Sequence, residues 1–192
     1  MSKIRLGVLG SGKGSNFRAI LEAIQQNTLD AEPVLVLSDH ADAGILTLAR
    51  DAGIPAEFID EPRFKTRLSE EVERSVVARL QAARVDYVVL AGYMRMVKPP
   101  LLQAFPRRVI NIHPSLLPKF PGLEAWRQAL EAGEKVTGCT VHYVDEGMDT
   151  GEIIEQIEVP VLPDDTAESL HARIQVAEHE LYPRVLRKFC RA

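Results

Sequence analysis

Short apolar runs alternate with helix-period segments along this chain, and that rhythm constrains its fold more than any other feature. "IRLGVLG" (4–10), "PVLVLSD" (33–39), "AEFID" (56–60), "DYVVLAG" (86–92) and "RVINIHP" (108–114) read as strands. The second has almost no polar alternation, the pattern of a strand covered on both faces. Between them lie helical stretches. "NFRAILEAIQQ" (16–26) sets Phe17, Ile20, Leu21 and Ile24 at helical spacing, with Ser15 as a candidate cap. Further helices are expected at 43–53, ended by Gly53, at 66–83, in a short turn opened by Pro99 and Pro100, and at 124–133. "VTGCTVHYV" (136–144) and "EIIEQIEVPV" (152–161) are joined by only a few residues and read as an antiparallel pair. A last helix runs from about Ala167 to Cys190. This order predicts an α/β fold: a doubly wound, mostly parallel sheet with helices on both faces and at least one later antiparallel strand. With no internal repeat and no low-complexity linker, residues 1–192 are expected to form one domain.

In such a sheet, ligands bind beyond the carboxyl ends of the strands, where the strand order reverses. The first strand is followed by Gly10 to Asn16, the fourth by Gly92 to Val97, and the fifth ends in Asn111, Ile112 and His113. These segments are expected along one edge. The first, "GSGKGSN", admits three templates. Gly7 to Lys13 fits the frame of a triphosphate loop, but Gly14 stands where the Mg²⁺-binding hydroxyl belongs. Gly10 and Gly12 fit a dinucleotide fingerprint, but Ser15 holds its third glycine position. The third is a bare helix N-terminus offering N–H groups to one phosphate. Local sequence leaves all three open.

Net charge is −4, so any bound anion needs a local site, and neither nucleic acid nor a membrane is an expected partner. No apolar stretch approaches the ~20 residues of a membrane span, and no secretory signal is visible. Cys139 and Cys190 lack metal-ligand spacing and fit two thiols of a reducing cytosol, so a cytoplasmic protein is expected.

"INIHPSLLPKFPG" (110–122) is the richest segment. Asn111 and His113, two residues apart on a strand, project to the same side. An amide there can donate to a developing oxyanion, and an imidazole can move a proton or supply charge near neutral pH. A strand-end cap is the plainer alternative. "VDEGMDTG" (144–151) supplies acids around a turn, with Asp149 able to orient an imidazole or to sit in a solvated loop.

These residues resemble the folate-dependent formyltransferases, in which an Asn-x-His and a distal Asp match Asn111, His113 and Asp149. "SGKGSN", "SDHADAG", "VVLAGYMR", "INIHPSLLPKFPG", "GCTVHYV", "MDTGEII" and "AEHELYP" match in order from residue 11 to residue 183. The glycine loop points to the glycinamide branch of that family. The resemblance implies direct transfer of a formyl group from 10-formyltetrahydrofolate, as cosubstrate, to the amine of glycinamide ribonucleotide in purine synthesis. It implies no metal and small-molecule partners, and leaves a homodimer open. Gly14, Ser15 and Asn16 match positions that contact the substrate phosphate. Gln175, Val176, Ala177 and Glu178 match a substrate contact in the last helix; without the resemblance Glu178 would read as an exposed helix acid. Arg67 matches the benzoyl-glutamate end of the folate. Met94, Arg95, Met96 and Val97 match the wall of the pterin pocket, and Asn111 also faces the folate. Asp145, Glu146, Gly147, Met148 and Asp149 match the loop around the pterin ring. Three positions depart from the pattern. Lys13 reads as a phosphate contact or a solvated lysine, Gly147 loosens the pterin loop, and His40 carries no role. A methionyl-tRNA formyltransferase is expected to carry an added basic domain and a formyltetrahydrofolate hydrolase an N-terminal regulatory one. A non-catalytic nucleotide-binding domain would leave Asn111, His113 and Asp149 as coincidence.

Overall fold

The computed structural model describes residues 3–190. Its order is β1 (Ile4–Leu9), α1 (Ser15–Gln25), β2 (Ala31–Ser38), α2 (Gly44–Asp51), β3 (Ala56–Phe58), α3 (Glu70–Ala82), β4 (Tyr87–Leu90), α4 (Pro99–Ala104), β5 (Val109–His113), α5 (Ala125–Glu131), β6 (Val136–Tyr143), β7 (Ile153–Pro160) and α6 (Ala167–Phe189). The strands form one sheet in the order β3-β2-β1-β4-β5-β6-β7. β1 to β5 are parallel, and β6 runs antiparallel to both β5 and β7, as the short connection between β6 and β7 requires.

Side-chain alternation along the strands feeds two cores. Leu6, Val8, Val36, Val89, Ile110 and Ile112 pack with α1, α2 and α6 on one face. Leu9, Leu35, Leu37, Val88, Leu90 and Val109 pack with α3 and α4 on the other. The period of two explains why each central strand is apolar at nearly every position. The fully buried Tyr182 of α6 crosses the first core, and its hydroxyl reaches the carbonyls of Leu90 (2.9 Å) and Ile110 (3.0 Å).

Two local expectations are corrected. Ser15 does not cap α1. The cap position is Gly14, in the left-handed region at φ 78°, and no side chain bonds the first turn. The helix expected over 66–83 begins only at Glu70. The Glu61 carboxylate accepts the Ser69 N–H at 2.6 Å and the Arg63 N–H at 2.9 Å, holding this segment extended. Arg67 then bridges in parallel to Met96. Cys139 and Cys190 are free thiols. Among the described residues no helix is long and apolar enough to cross a membrane.

Candidate active site

The strand order reverses between β1 and β4, and the loops after these strands meet there. The Ser11 N–H donates to the Gly92 carbonyl (3.0 Å), and the Ser11 hydroxyl donates to Asp39 (2.6 Å) while accepting the Met94 N–H (2.9 Å). Gly14 is required twice over. Its φ is left-handed, and a Cβ there would lie 2.9 Å from Ile45 Cγ1. The uncapped start of α1 therefore leaves backbone N–H groups of its first turn open to an anion. Lys13 is exposed beside this loop.

α1 packs against α6 and buries Asn16 against Glu178, with Asn16 Nδ2 3.4 Å from Glu178 Oε2. Asn16 Oδ1 has no hydrogen-bond partner among the described residues. Burial pushes the Glu178 carboxyl up to about 7, opposed only by the Asn16 amide. The exposed-acid alternative for Glu178 is thereby removed. The helix splits its four matched residues: Ala177 and Glu178 are buried, Gln175 is half-buried, and Val176 is 69% exposed on the outward side.

Asn111 and His113 project together at the end of β5, and the turn after β6 brings Asp149 to them. His113 Nδ1 lies 3.4 Å from Asp149 Oδ2, and His113 Nε2 donates to the Phe120 carbonyl at 2.8 Å. Both ring nitrogens thus face acceptors, which suits the doubly protonated ring. Asp149 sits at φ 55°, a left-handed conformation that Asp tolerates better than most residues. It also accepts the Gly122 N–H at 2.8 Å, which joins its turn to the 114–122 loop. Thr140 holds the same loop from below, donating to the Ser115 carbonyl (2.7 Å) and accepting the Leu117 N–H (3.1 Å).

One member of this cluster escaped the sequence reading. His142 stands opposite Asn111 in the β5–β6 register. Burial pushes its imidazole pKa down, so the neutral ring is favoured. Its Nδ1 bonds the Tyr143 carbonyl (2.8 Å), a pure acceptor, so the proton lies on Nδ1. The Nε2 lone pair then accepts from Asn111 Nδ2 at 3.3 Å, which orients the Asn111 amide and leaves its second N–H free. The signal was present as an apolar strand carrying one histidine in "GCTVHYV", but only the pairing register reveals its partner.

The residues matched to folate line the other side. Met94 is 60% exposed, Met96 half-buried and Val97 buried. The Arg95 guanidinium donates to Asp39 (2.7 Å), the Arg67 carbonyl (2.9 Å) and the Phe64 carbonyl, so its side chain braces loops. Asp39 is the second residue the sequence reading passed over. Buried itself, it links the loops after β1, β2 and β4. His40 lies 3.7 Å from it on the exposed side. Arg67 is exposed, with its guanidinium 4.5 Å above the Phe64 ring. In the 145–149 turn, Asp145 accepts from the Gly147 N–H (3.0 Å) and the Thr150 hydroxyl (2.7 Å), while Glu146 and Met148 are exposed.

A family model described as formyl transferase matches residues 4–186. The chain belongs to the formyl transferase family. Among known relatives of this formyl transferase, the phosphoribosylglycinamide formyltransferase of Bacillus subtilis (strain 168) is 41% identical over 184 residues, covering 96% of this chain and 93% of that protein. The "Trifunctional purine biosynthetic protein adenosine-3" of Drosophila pseudoobscura pseudoobscura is 50% identical over 184 residues, and the chain spans 13% of its length. The glycinamide ribonucleotide transformylase 1 structure from Symbiobacterium toebii superposes with a TM-score of 0.92 at 50% identity, covering 99% of this chain and 89% of that one.

Proposed function

We propose that this formyl transferase moves the formyl group of 10-formyltetrahydrofolate onto the amine of glycinamide ribonucleotide, in the cytoplasm, as a step of purine synthesis. Residues 1–192 act as one catalytic domain on two small molecules. The observation that carries this reading is a juxtaposition along one sheet edge. The Asn111–His113–Asp149 cluster lies at the end of β5, and a bare helix N-terminus beside the buried Asn16–Glu178 pair follows β1. The extended likeness to glycinamide-specific relatives supports the same acceptor.

Gly14, Ser15 and Asn16 hold the substrate phosphate with backbone N–H groups, and no metal is needed for a single phosphate held this way. The unpartnered Asn16 Oδ1 and the buried Glu178 face the rest of the ribonucleotide as acceptors. Gln175 lines the same helix face, and the outward Val176 bounds it. The pterin lies against Met94 to Val97 and under the 145–149 turn, with the glutamate end at Arg67. The neutral amine attacks the formyl carbon and gives a tetrahedral intermediate. The free N–H of Asn111 donates to the new oxyanion, an effect that costs about 10²–10³ in rate when such a donor is lost. His113 supplies positive charge and passes a proton to the leaving folate nitrogen, while Asp149 favours its charged form. The C–N bond to folate then breaks as the attacking nitrogen gives up a proton that restores the charged His113, giving formylated product and tetrahydrofolate.

The test is the absorbance change on release of tetrahydrofolate. Release that requires glycinamide ribonucleotide supports the reading. Equal release without it would make the protein a hydrolase and overturn the assignment.

A further inference from the structure

A buried ion pair joins the loops behind the proposed donor site. Asp39 and Arg95 meet at 2.7 Å, with their side chains only 3% and 9% exposed. The carboxylate faces two ways. Its Oδ1 accepts from the Ser11 hydroxyl (2.6 Å), and its Oδ2 accepts from Arg95 Nε (2.7 Å). The guanidinium continues the chain, because its Nη1 donates to the carbonyls of Phe64 and Arg67. A buried pair adds little net stability, since the cost of desolvating two charges offsets their attraction. What this pair fixes is a position. Asp39 holds the guanidinium inward, and the guanidinium ties the segment carrying Arg67 to the wall at Met94 to Val97. The two ends of the chain depend on it unequally. The glycine loop after β1 has three further anchors: the Gly10 N–H donates to the Leu37 carbonyl (3.1 Å), the Ser11 N–H to the Gly92 carbonyl (3.0 Å) and the Ile45 N–H to the Gly12 carbonyl (3.0 Å). The Phe64–Arg67 stretch meets the wall through the Arg95 contacts and through the Met96 N–H, which donates to the Thr66 carbonyl at 2.8 Å. Without the carboxylate the glycine loop keeps its place, and the donor side loses its main tie.

We propose that Asp39 is a positioning residue for the folate donor, acting through Arg95. The inference rests on the function proposed above. In that function neither substrate touches Asp39, and Asp39 stands apart from the Asn111–His113–Asp149 cluster. Its charge sets the shape of the wall against which the pterin lies and the distance from that wall to Arg67. Losing it therefore falls on affinity for the donor, and spares both the chemical step and the ribonucleotide. Arg95, with its guanidinium spent on Asp39 and two carbonyls, is by the same argument a strut rather than a partner for the carboxylates of the folate.

The experiment is a double-mutant cycle on Asp39 and Arg95, read by steady-state release of tetrahydrofolate. Asp39→Asn keeps the size of the side chain but leaves one acceptor oxygen, which cannot serve both Ser11 and Arg95. A bond to a charged group is worth about tenfold or more when the ligand itself makes it, and a tie acting through a second residue passes on part of that. KM for 10-formyltetrahydrofolate should therefore rise about three- to tenfold in Asp39→Asn, with kcat and KM for glycinamide ribonucleotide held. Arg95→Gln should raise the donor KM by a similar factor, and the double variant should go no further than either single one, because both cut the same chain. The double variant also removes the unpaired buried cation, so it stays measurable where Asp39→Asn alone folds poorly. A donor KM within about twofold of the wild type in the double variant, an equal rise in both KM values, or single effects that multiply in the double variant overturn the inference and leave the proposed function standing. No ribonucleotide-dependent release by the wild type overturns the function, and the inference with it.

Discussion

On one side of the reaction centre the side chains stand on regular elements, and on the other they hang from loops. Asn16 is in the first turn of α1 and Glu178 is deep in the 23-residue α6, where both side chains are buried against each other. Asp145 to Asp149 lie in a turn whose order comes from its own short-range bonds, from one N–H of Gly122 and from the His113 ring beside Asp149. Arg67 lies in an extended segment held by Glu61, by Arg95 and by a bridge to Met96. In the proposed function the ribonucleotide thus meets side chains on helices, whereas the donor meets side chains on loops. The contrast teaches that burial is spent where an anion must find its geometry, and looseness is kept where a large ring must enter and leave.

Asn111 lies between these two sides and gives the largest expected effect. Asn111→Ala should lower kcat about 10²–10³-fold, or roughly 3–4 kcal/mol, while KM for both substrates changes little. A steady-state profile in which either KM carries most of the loss would assign Asn111 to one side and break the comparison.

Glu178→Gln sharpens the preformed side. Hydrogen bonds to a charged group contribute about 1.5–3 kcal/mol, so KM for glycinamide ribonucleotide should rise roughly 10–100-fold, with KM for folate unchanged. The same variant has a stability signature. The folded carboxyl titrates near 7 against an ordinary 4.5, so between these values the native state holds a proton that the unfolded chain releases. Stability of the free enzyme should therefore fall as pH rises from about 4.5 to about 7, and Glu178→Gln should flatten that slope. Melting temperatures of both proteins across this window are the check, and parallel curves would mean the carboxyl is not held neutral.

The smallest effect is expected on the loop side. A Cβ at Gly147 would lie 2.0 Å from the Thr150 hydroxyl, so Gly147→Ala must push that side chain off Asp145. Losing one such exposed bond should raise KM for folate about two- to fivefold and leave the ribonucleotide KM alone. A change in the ribonucleotide KM of equal size would show that the two sides are not independent.

What the sequence made legible follows the same divide. The alternation of strands and helices, the antiparallel pair and the Asn111–His113 projection rest on periodicity and chain reach, which are local properties. The delayed start of α3 was hidden because Glu61, eight residues before Ser69, takes the N–H that would have extended the helix. His142 and Asp39 were hidden because their roles depend on what lies across the sheet: Asn111 in one case, Ser11 and Arg95 in the other. Burial of Glu178 was hidden for the same reason, since helical spacing puts an acid on a face without saying that α1 covers it.

Tyr182 has a consequence for how α6 tolerates change. Its hydroxyl is anchored to β4 and β5, and Glu178 lies four residues earlier on the same face, about one turn away. That single turn works as a gauge block between the sheet and the proposed ribonucleotide site. One residue inserted between the two would swing them about 100° apart, so the helix could seat its anchor or present its carboxylate but not both. Length variation in this enzyme is therefore cheap in the loops, where slack is absorbed, and costly within those four residues, even though no reacting atom is held there.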